Sequence, residues 1–244
     1  MVTILLLTLL IFFPTYEAMP ITNEKFVTVE LMCLSSKFVA FQQGARIDQD
    51  NDVNGEYGLF NEMAGSAVLR SSDKPVDLPP FIPKIFIVSN NSGYCTMHGY
   101  HVQVFLPHTG KPLTDTIAAQ KASTDQTSIQ AQEGTFIVYA WPEQAGIVGY
   151  RCFVLRDDGA VMVCANRKDN GFYYSGESSR PQYYAAMPAD KAKMIDSVNW
   201  VKPENGKVGM DGQVWVELTI EEYRQANTKS EQSYFKKKNW DKMQ

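Results

Sequence analysis

Positive charge is in short supply in this chain. Its 244 residues carry 23 Lys+Arg against 27 Asp+Glu, a net charge of -4 at pH 7. Nucleic-acid binders show the opposite, a basic excess gathered on one face, so composition argues against such a partner. The basic cluster Lys236-Lys237-Lys238 falls in the polar stretch 221–244 and reads as a solvated tail. Catalytic signatures are also missing: the chain holds no G-x-S-x-G, H-E-x-x-H, P-loop or dinucleotide fingerprint. Nothing places a nucleophile beside a base, and the expectation is a non-enzymatic protein. Four cysteines with no C-x-x-C spacing argue against a zinc knuckle or a thioredoxin-type site. No internal repeat and no second Asp-rich loop is evident.

The apolar run Ile4 to Phe13 ends at Pro14 and falls short of the ~20 residues that a spanning helix needs. Its length suits the apolar region of a secretory signal, with the best cleavage site after Ala18. Residues 1–18 therefore read as a signal peptide or short membrane anchor, and the protein as exported to the cell envelope. The inner membrane is then a possible partner.

Behind that leader, Asn23 has the chemistry of an N-cap for a helix over 24–43, and Gly44 that of a stop. Val27, Leu31, Leu34, Phe38 and Phe41 recur at spacings of four and three, which puts them on one helix face. That stripe is an assembly or packing face, and a sheet laid against it would satisfy it. Residues 71–84, with Pro75, Pro79, Pro80 and Pro83, read as an irregular surface connection.

From Ile85 onward the pattern is that of strands. Ile85 to Val88, Tyr100 to Leu106, Thr135 to Trp141, Gly149 to Leu155, Ala160 to Cys164 and Val214 to Leu218 are short, β-branched and aromatic runs. Between them, Leu113 to Glu133 reads as a long polar loop. The fold class is α+β: an N-terminal amphipathic helix packed on a small antiparallel sheet of five or six strands spanning 85–218.

Three features carry chemistry. The loop over 47–58 alternates Asp48, Asp50 and Asp52, with Glu56 following, an oxygen-rich set that suits calcium. Val53 stands where an EF-hand loop has glycine, and Leu59 where it has a bidentate Glu. In the Arg156-Asp-Asp-Gly-Ala160 hairpin signal, a three-residue loop with Gly159 left-handed pairs 156 with 160. Counting outward then sets Cys152 opposite Cys164, either as a cross-strand disulfide in an exported protein or as two reduced, buried thiols. His98 and His101 point to opposite strand faces and read as surface or edge residues rather than metal ligands.

The order of these pieces resembles a known family. A helix is followed by Ile47-Asp-Gln-Asp-Asn-Asp-Val-Asn-Gly-Glu-Tyr-Gly58 and Glu62-Met-Ala-Gly65. Then come Gly99 to Pro107, Tyr139-Ala-Trp-Pro142 with Gly146, and the hairpin Arg151 to Gly159. Over 24–218 the chain is similar to bacterial type II secretion pseudopilin-like proteins, which are type IV pilin-like and abundant in planctomycetes. The front departs from that family's leader pattern, with Pro14 and Pro20 in the region. The resemblance implies a helical spine, a small antiparallel sheet, a calcium-holding loop at Asp48, Asp50 and Asp52, and other envelope or pseudopilin-like subunits as partners. The alternative is a freely secreted or periplasmic binding module that uses an aromatic surface, drawn from Tyr139, Trp141, Phe172, Tyr173, Tyr174, Tyr183, Tyr184 and Trp200, for a glycan or protein.

Overall fold

The computed structural model describes residues 2–44, 47–70, 79–89, 91–116 and 125–219, with side chains from Met19 onward. The side chains of the expected leader and the tail 221–244 lie outside that range.

Helix α1 runs from Val2 to Gly44 without a break, so it starts far ahead of the expected 24–43. Proline's fixed φ is compatible with helix and costs one backbone hydrogen bond, so Pro14 and Pro20 are carried inside α1. Asn23 is therefore no cap. Its amide reaches outward instead, and Nδ2 donates to the Val148 carbonyl at 2.9 Å. The expected stripe is buried: Val27, Leu31, Phe38 and Phe41 are 0% exposed and Leu34 2%. Among the described residues no helix is long and apolar enough to cross a membrane.

The stripe packs on a seven-stranded antiparallel sheet, larger than the five or six strands expected. The strands are β1 (Cys95–Met97), β2 (Tyr100–Phe105), β3 (Ile137–Pro142), β4 (Cys152–Arg156), β5 (Val161–Cys164), β8 (Lys207–Val208) and β9 (Val214–Glu217). Their order across the sheet is β1-β2-β3-β4-β5-β9-β8. A separate two-stranded ribbon joins β6 (Arg167–Lys168) to β7 (Gly171–Phe172).

Side chains alternate across a strand, and here both faces are covered, so β3, β4 and β5 read as continuous apolar runs. Val138, Ala140, Phe153, Leu155, Val161 and Val163 join the helix-side core. Tyr139, Trp141, Cys152, Val154, Met162 and Cys164 form a second core, closed by Tyr174, Ala185, Ala186 and Trp215.

Two segments differ from expectation. Ile85 to Val88 is no strand: Lys84–Phe86 forms a 3-10 turn after Pro83. The Asn61 amide takes the place of a strand partner, accepting from Val88 N at 2.9 Å and donating to Val88 O at 3.0 Å. The polar stretch 113–133 is not all loop either, because α3 (Gln126–Gly134) occupies its end. Asp125 caps that helix by accepting from Ser128 N at 3.0 Å. A four-residue helix, α2 (Phe60–Met63), follows the acidic loop.

Candidate metal centre

The acidic loop is pinned between α1 and α3. Its base closes where Glu56 N donates to Ile47 O at 2.8 Å. On one side Gln42 of α1 donates through Nε2 to Gly55 O at 2.7 Å and to Glu133 O at 3.0 Å. On the other, Tyr57 N donates to Gln132 O at 3.0 Å, and Gln126 Nε2 donates to Asp50 Oδ2. Gly55 has a steric reason to be glycine, since a Cβ there would lie 2.4 Å from the Gln42 carbonyl oxygen.

Within the loop, Asp48, Asp50 and Asp52 each present a carboxylate oxygen, all within 4.8 Å of one another. Asp52 N donates to Asp48 Oδ1 at 3.2 Å, and Asn54 N to Asp52 Oδ1 at 2.8 Å, so the carboxylates also hold the turn. Asn51 and Val53 have φ of 61° and 83°. Val53 thus holds the left-handed conformation that a calcium loop gives to glycine, on a β-branched residue for which it is strained.

Glu56, expected as a fourth ligand, is set differently from the three aspartates. It is 0% exposed, and Oε1 accepts from Gln49 N at 3.2 Å and Gln49 Nε2 at 3.1 Å. Its Oε2 accepts no hydrogen bond among the described residues, and burial pushes its pKa up. Glu133 at the end of α3 was not singled out from sequence, because the fold and not the chain order brings it here. Burial first, then the charges of Asp52, Asp50, Glu56 and Asp48, raise its carboxyl to about 7. Its Oε1 is buried and likewise accepts no hydrogen bond among the described residues. The donor set is entirely oxygen and strongly anionic, which fits a hard cation such as Ca²⁺ rather than a thiolate- or imidazole-preferring metal.

Other expectations sit elsewhere. Cys152 and Cys164 face each other in the β4–β5 register, as the hairpin count requires, with Gly159 at φ 87°. Both are buried free thiols here. His101 is buried rather than at the surface: Nδ1 lies 2.8 Å from Thr96 Oγ1, and the ring packs between Tyr94 and Trp141. His98 occupies the β1–β2 turn and stacks on Phe26 of α1 at 4.9 Å.

The aromatic residues are mainly core. Tyr139 and Trp141 are 0% exposed and Tyr174 7%, whereas Tyr173 and Tyr184 reach 37% and 36%. The cavity lined by Phe136, Arg156, Asp157, Trp200 and Pro203 measures about 10 Å³. That is the room of a single water, not of a substrate.

No family model, no curated protein and no solved structure matches this chain.

Proposed function

We propose that this protein is an exported, envelope-associated structural subunit of the pseudopilin-like kind, without catalytic activity. The observation that carries this reading is the single helix α1, Val2–Gly44, about 65 Å long at 1.5 Å per residue. Its second half is built into the globular head through Val27, Leu31, Leu34, Phe38 and Phe41. The apolar sequence Ile4 to Phe13 belongs to the same helix. A helical spine whose second half is built into a head is the shape an assembly subunit needs.

In this reading the acidic loop is a calcium clamp. Asp48, Asp50 and Asp52 would hold the ion, with Glu56 and Glu133 supplying charge and oxygen close by. Calcium would screen the mutual repulsion of these carboxylates and fix the loop between α1 and α3. A ligand that binds only the folded state stabilises it by about 2.7 kcal/mol at a hundred times its Kd.

Fractionation of cells expressing the tagged full chain tests the main proposal. Recovery in the membrane or envelope fraction is expected. Recovery wholly in a soluble, cleaved form would overturn it and favour the free binding module.

A further inference from the structure

Asparagine followed by glycine is a reactive step in a polypeptide, and this chain has three: Asn54-Gly55, Asn170-Gly171 and Asn205-Gly206. The backbone nitrogen of the glycine attacks the side-chain amide carbon of the asparagine, and no Cβ obstructs the approach. How fast this happens depends on how freely the two residues reach the attacking geometry. All three asparagines are exposed. What separates them is how the fold holds each pair.

Asn54 is tied twice to Asp52: its backbone N donates to Oδ1 at 2.8 Å and its Nδ2 to Oδ2 at 3.1 Å. Gly55 behind it is buried, and its carbonyl accepts from Gln42 Nε2 at 2.7 Å. Asn205 is held through its side-chain oxygen, which accepts from Glu217 N at 3.0 Å. The nitrogen that would attack it, Gly206 N, donates to Trp215 O at 2.7 Å. At both steps existing hydrogen bonds must break before the reacting atoms can meet.

The third step lacks these restraints. Asn170 and Asp169 form the tip of the β6–β7 ribbon, between the paired residues Lys168 and Gly171. The side chain of Asn170 makes no hydrogen bond among the described residues. A Cβ placed on Gly171 would meet nothing within 4 Å, so the backbone there has room to turn. The ribbon adds only the pair Arg167 and Phe172 and has no third strand. So short a two-stranded ribbon opens at little cost.

We propose that Asn170 is a deamidation site of the folded protein, while Asn54 and Asn205 are shielded. The bond from Gly171 N to the Asn170 side-chain carbon forms, the bond to the amide nitrogen breaks, and ammonia leaves. Water then opens the cyclic imide at either carbonyl, giving aspartate or isoaspartate. The net change is amide plus water to carboxylic acid plus ammonia, with no oxidation or reduction. On the ribbon, Arg167 and Lys168 are set against the one carboxylate of Asp169, and the new acid balances them. Sparing Asn54 leaves the charge of the acidic loop as it is. This goes beyond the spine reading and stands without it.

The test incubates the full chain in mildly alkaline buffer and follows each step by peptide mapping with isoaspartate detection. Asn170 should convert roughly tenfold faster than Asn54 or Asn205, the order of slowing that one or two intact hydrogen bonds impose. In urea the three should convert at similar rates. On ion exchange the wild type should drift toward an acidic form with time, and Asn170→Gln should not. Equal rates at the three steps in folded protein would overturn the proposal, as would an unreacted Asn170 or the same ranking in urea.

Discussion

Glu24 Oε2 lies 2.6 Å from Nε of Arg151, joining the middle of α1 to the start of β4. The other oxygen, Oε1, accepts from Tyr150 N at 2.7 Å and Arg151 N at 3.1 Å. One buried carboxylate therefore satisfies two backbone amides and a guanidinium across 127 residues of chain. With Asn23 bonded to Val148 one residue earlier, this is a polar lock at the point where the helix enters the head.

Glu24→Ala should cost about 3 kcal/mol, because it removes the acceptor of two backbone amides and of Arg151 Nε at a site where breaking a buried pair is expensive. Glu24→Gln keeps one acceptor oxygen and should cost less. Arg151→Ala should cost less still, since the Arg151 side chain is 20% exposed and water can replace it. Urea unfolding of the three variants ranks them, and an order that puts Arg151→Ala first would refute the lock.

A second expectation concerns pH. Asp115 is buried and accepts from Phe60 N at 3.1 Å and Asn61 N at 2.8 Å. Burial dominates over those two amides and raises its carboxyl to about 7, while nearby Glu62 is also raised by burial. A folded-state pKa above the unfolded value means that the folded protein holds the proton more tightly. The associated stability is complete below about pH 4 and is lost as pH rises through 7. Asp125, Asp158 and Asp196 are shifted downward, so their contribution is already constant above pH 5. Between pH 5 and 7.5 the protein should therefore lose stability, on the order of a few kcal/mol. Glu133, likewise raised to about 7, acts in the same sense, and His101, whose pKa burial lowers, opposes it. Asp115→Asn should reduce that slope in thermal melts taken across the window.

What could be read from the chain beforehand follows a physical line. The stripe Val27 to Phe41 and the hairpin at 156–160 were legible because each depends on short-range periodicity or a turn residue. Ile85 to Val88 has strand composition and even strand-like burial, with Phe86 and Val88 buried and Ile85 exposed. The 3-10 turn after Pro83 and the side chain of Asn61, 27 residues from Val88, make it something else. In α3, Ile129 is the lone large apolar residue, so no periodic signal marks the helix. The three aspartates of the loop are neighbours in sequence and could be grouped. Glu133 could not, because tertiary packing alone brings its charge beside theirs.

Cys152 and Cys164 give a third expectation. Facing each other across β4 and β5, they close a short loop, and a bridge there would stabilise the fold by about 3 kcal/mol in the chain-entropy account. Protein recovered from an oxidising compartment should yield the Cys152–Cys164 linked peptide on mapping, with Cys33 and Cys95 unlinked to either. In reduced, folded protein, iodoacetamide should modify Cys33 well before either buried thiol. Burial raises the Cys152 pKa and withholds its thiolate. A linked peptide joining Cys33 to Cys95 instead would contradict this pairing.

Val53 gives the fourth. Its φ of 83° places a β-branched residue, 71% exposed, in a backbone region where glycine is free of strain. Such a conformation costs about 1–3 kcal/mol. Glycine would remove that cost while adding back about 0.5–1 kcal/mol of unfolded-chain entropy. Val53→Gly should thus raise stability by about 1 kcal/mol. If the loop holds calcium, the same change should strengthen binding, because the turn that gathers Asp48, Asp50 and Asp52 would no longer be strained. Asp50→Asn or Asp52→Asn should do the reverse and weaken the calcium-induced rise in thermal midpoint. Calorimetric titration with Ca²⁺ on the wild type and these variants reads both effects. A Val53→Gly protein that is more stable yet shows no heat of calcium binding would assign the loop to structure alone. A gain in affinity with the aspartates intact, lost on their removal, would make the strained turn the feature that sets how tightly the ion is held.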